Sequence, residues 1–209
     1  MRKFCLTIIV LAGFSKALFA QFGNCTASEM QTYTDRETGN TITILTDTLK
    51  NDRFLYQTDP MWTHDGKYLL FRSSSRANDK KIERTLPNGE KRSWTPTQIY
   101  FIEMATGQII QATEGPDLGS AFLANKSNRM FISRKEKEDW NMYVMDLDKF
   151  FADVKKGKVG KPTAYETLLG TFPTSMGRPG GYAIDCNDDY AYILSLIHIS
   201  EPTRLALIS

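Results

Sequence analysis

Histidine is scarce in this chain: 209 residues carry only two. Metal or acid–base chemistry that needs several histidines is therefore limited here. Three cysteines are too few for a disulfide scaffold. Charge of one sign is lacking as well. With 26 Lys+Arg against 24 Asp+Glu, the net of +2 is not that of a strongly basic nucleic-acid binder. At 41% hydrophobic and 24% charged, the composition is that of an ordinary globular protein, neither disordered nor membrane-embedded. No phosphate-binding glycine loop, no Gly-x-Ser-x-Gly elbow and no basic groove occurs.

What is present begins with a leader. Arg2 and Lys3 precede an apolar run from Cys5 to Phe14, with small residues at Ala17 and Ala20. The run is too short to cross about 30 Å of hydrocarbon, and the layout is that of a secretory signal peptide over residues 1–20. This predicts an exported, periplasmic or secreted protein with no stable membrane anchor after cleavage. At the other end, residues 194–209 break the preceding pattern. Their LSLIHISEPTR resembles a translated sequencing-adapter tail, the alternative being a genuine C-terminal strand or helix. Setting both ends aside removes Arg2, Lys3, Lys16, Arg204 and Glu201, which leaves 22 basic against 23 acidic residues, a net of −1. Cys25, Cys186 and His64 are then the only cysteines and histidine of residues 21–193.

That segment consists of short strand-like runs between turn signals. Thr41 to Thr46 alternates apolar and polar, as a half-buried strand does. His64-Asp65-Gly66 leads into Lys67 to Phe71, and Gln98 to Met104 turns through Ala105-Thr106-Gly107 into Gln108 to Thr113. Asp148 to Lys156, stopped by Gly157, is the one amphipathic helix candidate. The runs repeat: the turn positions Asp65, Ser127 and Asp188 are 62 and 61 residues apart. That exceeds the roughly 40–50 residues of a propeller blade. Two polar insertions, Ser73 to Thr97 and Asp148 to Pro173, hold the excess. The pattern predicts an all-β fold, a β-propeller of four-stranded blades. Residues 21–193 would make about two and a half blades, with Tyr33 to Thr46 as a closing outer strand, so the chain reads as an N-terminal fragment.

Thr34-Asp-Arg-Glu-Thr-Gly39, Phe54-Leu-Tyr56, Asp59-Pro60, Asp65-Gly-Lys-Tyr-Leu-Leu-Phe71, Ser75-Arg76 and Glu103-Met-Ala-Thr-Gly107 carry a likeness. Over about residues 33–193 the chain resembles the opening of bacterial oligogalacturonate lyases. These form polysaccharide lyase family 22 and share the propeller of the Tol-system periplasmic protein. The resemblance implies a seven-bladed full-length protein that binds a divalent metal, typically manganese, through His and Gln ligands. It implies short uronate oligosaccharides, oligogalacturonides, as substrates cleaved by β-elimination. Such chemistry needs a base for the C5 proton and a cation for the enolate-like charge. With His64 alone, this stretch supplies no metal site, which places those residues in further C-terminal blades. A non-catalytic Tol-type propeller that binds protein or glycan, and the propeller of a prolyl-oligopeptidase-like enzyme, are the rival readings.

Arginines that follow second strands are the candidate substrate-binding residues, because guanidinium forks suit uronate carboxylates. Arg76 stands in the first repeat, beside Arg72. Arg134 stands at the corresponding place in the second, and Arg178 lies in a Gly/Pro loop. Solvated surface charge is the competing account of each. Trp62 and Trp140 occupy repeat positions and read as core; Trp94 is a third aromatic able to stack on a sugar. His64 reads as a turn residue, and Asp185, Asp188 and Asp189 as turn formers, since they lack the spacing of a calcium loop.

Overall fold

The structure is a computed structural model that describes residues 22–57, 59–76, 81–86, 88–115, 118–173 and 179–195. Residues 1–20, expected to be a signal peptide, Arg178 and residues 196–209 of the proposed tail lie outside them.

Tyr68 to Phe71 and Ile99 to Ile102 are unbroken apolar runs, and both are fully buried. A strand sends alternate side chains to opposite faces, so such a run needs cover on both sides. That need sets the architecture. The first sheet holds β1 (Cys25–Thr26), β4 (Asp52–Arg53), β5 (Tyr68–Ser73), β8 (Gln98–Glu103) and β9 (Ile109–Gln111), in the order β1-β9-β8-β5-β4. The second runs β10-β11-β12-β13, from Leu118–Leu123, Arg129–Glu136, Asp139–Asp146 and Glu166–Pro173. Three two-stranded sheets accompany them: β2 (Gln31–Thr34) with β3 (Thr41–Ile44), β6 (Ile82–Thr85) with β7 (Lys91–Trp94), and β14 (Pro179–Ile184) with β15 (Ala191–Ser195). Every strand pair is antiparallel.

Three apolar clusters cover the sheet faces. Leu70, Ile99, Phe101 and Ile110 of the first sheet meet Ala121, Leu123, Met130 and Ile132 of the second. Phe71, Tyr100, Ile102 and Ile109 point the other way, toward Met30 and Leu45 beside the β2–β3 hairpin. Phe122, Phe131 and Met142 occupy the far side of the second sheet, against Ile184 of β14. The first two sheets are thus stacked, each apolar on both faces.

The one α-helix among the described residues, α1 (Leu147–Lys155), closes the gap between the first two sheets. Asp146 caps it, accepting from the Lys149 N–H at 2.9 Å, and Gly157 at φ 64° ends it. Leu147, Phe150, Phe151 and Val154 form one buried stripe at i, i+3, i+4 and i+7. Phe151 stacks on Tyr68 at 3.7 Å between ring centroids and meets Phe101 edge-on at 5.1 Å. Phe150 lies 5.0 Å from Phe22 and 5.5 Å from Tyr165. Lys155 reaches Glu103 at 2.9 Å. The segment that follows β1 passes the turn between β8 and β9, where Gly107 has φ 74°. A Cβ there would collide with Ser28, so only glycine fits.

The three repeat turns lie side by side and bond in series. In the first, Asp65 accepts from Thr63 Oγ1 at 2.7 Å and the Lys67 N–H at 3.1 Å. Its own N–H donates to Asn128 Oδ1 of the second turn at 3.2 Å, and His64 Nδ1 lies 3.0 Å from the Asn125 carbonyl. In the third turn Asp188, buried at 8% exposure, aims its carboxylate back at the second. It accepts from the Asn125 N–H at 2.6 Å, the Lys126 N–H at 2.8 Å and Ser127 Oγ at 3.0 Å. The 62- and 61-residue spacings of the sequence thus appear as contacts across 60 to 63 residues. Burial raises the Asp188 pKa, but these donors outweigh it and hold the carboxyl below its ordinary value. The same competition holds Asp65 at about 2, where desolvation is outweighed by the Lys67 and Thr63 hydrogen bonds.

Candidate functional site

At the opposite end of β5 from the turns, three arginines lie close in sequence or register, and a fourth is their counterpart on the second sheet. Arg72 is the last residue but one of the strand, Arg53 pairs with it from β4, Arg76 follows, and Arg134 is the equivalent of Arg72 on β11. Arg72 and Arg134 each lie seven residues after their repeat turn position, Asp65 and Ser127.

Arg76 is enclosed by carboxylates. Nε donates to Asp52 Oδ1 at 2.9 Å, Nη2 to Asp52 Oδ2 at 2.6 Å, and Nη1 to Glu29 Oε1 at 2.9 Å. Its side chain is 7% exposed, Asp52's 8% and Glu29's 25%. The guanidinium also lies 5.3 Å from the Phe71 ring centroid. Burial alone would lower the Arg76 pKa; the two carboxylates more than offset this and raise it. Glu29 is held below its ordinary value first by the Arg76 hydrogen bonds. Arg76 therefore ties the segment before β2, strand β4 and the end of β5 together. A uronate carboxylate could take its fork only by displacing Glu29 or Asp52.

Arg134 is engaged in a similar way. Nη1 and Nη2 each donate to Glu166 at 3.0 Å, a bidentate pair. The guanidinium also lies 5.3 Å from the Tyr143 ring. Burial works against its charge and Glu166 for it, with a net rise in pKa. Arg178, the third candidate, lies outside the described residues.

The aromatics divide otherwise than their repeat positions suggest. Trp140 is core at 8% exposure, and its ring lies over Gly119 of β10. Trp62 is 47% exposed and Trp94 39%. Trp62 makes an isolated bridge to Leu69 rather than joining a strand, which leaves its ring on the surface. The stretch Ser73 to Thr97, a polar insertion by its composition, is not featureless. It holds the β6–β7 hairpin, whose signal was the Asn88-Gly89 turn.

A pocket of about 300 Å³ lies at the turn end of the second sheet, lined by Asn128, Arg129, Asp146, Asp148 and Tyr165. Its polar groups serve the fold. Asp148 accepts from Asn128, Arg129 Nε donates to Ser127 Oγ, and Asp146 caps α1. Cys25 and Cys186 are free thiols, and burial raises the Cys25 pKa. Among the described residues no three His, Cys, Asp or Glu side chains come together as metal ligands. His64, the histidine described, is committed to the repeat turns. These residues do not fit a His/Gln metal centre.

Two solved structures of oligogalacturonate lyase share the fold of this chain. One, in complex with manganese, is 20% identical with a TM-score of 0.54, over 79% of this chain and 35% of that one. The other, from Vibrio parahaemolyticus, is 19% identical with a TM-score of 0.54, over 80% of this chain and 35% of its own. This chain thus spans about a third of the length of the lyases it matches. No family model and no curated protein matches the chain.

Proposed function

We propose that residues 21–193 form the first blades of an exported β-propeller, and that the longer protein cleaves short uronate oligosaccharides by metal-assisted β-elimination. The observation that carries this reading is the fold shared with oligogalacturonate lyases over 79% of the chain. The serial bonding of the three repeat turns supports the same architecture, since neighbouring blades place equivalent turns side by side. Under this reading the first sheet is one blade with β1 added at its edge, the second sheet is the next, and β14–β15 begins a third. The β2–β3 hairpin belongs to the blade that closes the ring.

A uronate is recognised through its carboxylate and its sugar face. Elimination removes the C5 proton while positive charge stabilises the enolate-like carboxylate. A divalent metal would supply that positive charge in the longer protein; its ligands and the base belong to blades beyond this segment. What this chain contributes is scaffold and charge. Arg76 and Arg134 hold strand ends in place through Glu29, Asp52 and Glu166.

The test is an elimination assay. The reading frame is extended to the length of the matched lyases, and the product is supplied with manganese and digalacturonate. Unsaturated uronate absorbing in the ultraviolet is the expected result, and the present 209-residue chain is expected to give none. An extended protein that is folded, loaded with manganese and silent on digalacturonate would contradict the lyase reading.

A further inference from the structure

Arg53 and Arg72 stand directly opposite each other in the antiparallel register of β4 and β5. Residues in such a pair share a face and place their Cβ atoms about 5 Å apart, and like charges there are destabilising. Both are exposed. β5 buries its other five residues, so Arg72 is the exception on its strand. Arginines elsewhere in the fold have carboxylate partners: Arg76 has Glu29 and Asp52, Arg134 has Glu166, Arg129 has Asp188 and Arg92 has Glu90. Arg53 has one neutral acceptor, Asn51 Oδ1 at 3.2 Å from its Nε. Among the described residues no carboxylate pairs with either Arg53 or Arg72. The nearest in sequence, Asp52, is already held by Arg76.

We infer that Arg53 and Arg72 form an oxyanion-binding pair, whose ligand is a carboxylate of a uronate oligosaccharide. Two guanidiniums on one face present several N–H donors to a single bridging oxyanion, and their mutual repulsion is relieved when it binds. β4 is the edge strand of its sheet, so a chain-like ligand can approach the pair without displacing another strand. The assignment of the ligand rests on the lyase reading above; the pair itself rests on register and charge. Arg72 is marked in the sequence by its strand, whereas Arg53 is not, because a two-residue strand leaves no periodic signal.

The experiment is calorimetry on the whole 209-residue chain at low ionic strength, where exposed charge is least screened. The probes are trigalacturonate, its methyl ester and sulfate; the variants are R53Q, R72Q and, for comparison, R92Q. Trigalacturonate should bind and its ester should not. Binding should weaken about tenfold or more in R53Q and in R72Q, and hold in R92Q. A second readout separates binding from folding. Removing one of two repelling charges should raise the melting temperature of R72Q by about 1–3 °C without ligand. Trigalacturonate binding that is unmoved in R53Q and R72Q would overturn the pair and leave the lyase reading standing. Sulfate binding that is lost in both variants, with trigalacturonate ignored, would overturn the choice of ligand and count against the lyase reading. No binding of any probe, or a lowered melting temperature in R72Q, would overturn the proposal outright.

Discussion

Replacing Arg76 with methionine is expected to destabilise the chain by about 3–5 kcal/mol, the usual result of removing one partner from a buried ionic cluster. Methionine keeps an apolar stem and loses the guanidinium, with its carboxylate bonds and its place over Phe71, so the loss is electrostatic. It leaves the carboxylates of Asp52, 8% exposed, and Glu29, 25% exposed, without the cation that both of them bind. In melting temperature this is a fall of about 10 °C or more for a chain of this size. The sign with pH follows from Glu29, whose carboxyl Arg76 holds below its ordinary 4.5. The stabilisation is complete above that value and is lost as pH falls through the lower, folded-state pKa. The gap between R76M and the parent should therefore narrow in acid. Thermal melts of the parent, R76M and the triple variant R76M/E29Q/D52N measure it. The triple variant should recover much of the loss, since no unpaired charge is left buried. A fall of under about 1 kcal/mol in R76M would mean that the cluster is solvated after all.

Phe150→Ala should cost a similar amount, about 3–5 kcal/mol, for a different reason. Phe150 is fully buried, and its ring touches those of Phe22, Phe151 and Tyr165. Alanine leaves a cavity where α1, the N-terminal segment and the second sheet converge. The surroundings can close only in part, because Phe151 is fixed by Tyr68 and Phe101. Phe150→Leu keeps most of the volume and should cost under about 1.5 kcal/mol. Urea titrations of the two variants distinguish this from a surface helix, on which both changes would be nearly silent.

Strands with a strong local signature were legible in the sequence. The apolar runs of β5 and β8, the Thr-Gly turn between β8 and β9, and the amphipathic stripe of α1 all stand within a residue or two of where their patterns put them. So do the three repeat turns. Elements defined by what they pair with were not legible. β1 and β4 are two residues each and exist only through β9 and β5. β13 lies inside a stretch read as a polar insertion; Leu168 and Leu169 are half exposed, so no buried face marks it. The closing element Tyr33 to Thr46 is a hairpin closed between Asp35 and Asn40, and only its second half, the alternating Thr41 to Thr46, carries a strand signal of its own. The arginines of the candidate site show the same limit. Their type and place at strand ends were visible, but not that Glu29, 47 residues before Arg76, and Glu166, 32 after Arg134, would take their forks. Ion pairs at that separation carry no local pattern. The pair of exposed arginines, Arg53 and Arg72, is likewise a product of register.

The stacking of repeat on repeat is the claim on which both fold and function stand, and the Asp188 carboxylate tests it most directly. Its two oxygens accept from the Asn125 and Lys126 amides, 63 and 62 residues away, so those amides must sense its charge. The measurement is the pH dependence of the Asn125 and Lys126 amide proton shifts as pH falls through the carboxylate range. Both should follow one titration with a midpoint below the ordinary 3.8, because the folded state holds Asp188 ionised, and both responses should vanish in D188N. Amides that do not move with pH, or a midpoint at 3.8 or above, would contradict the stack.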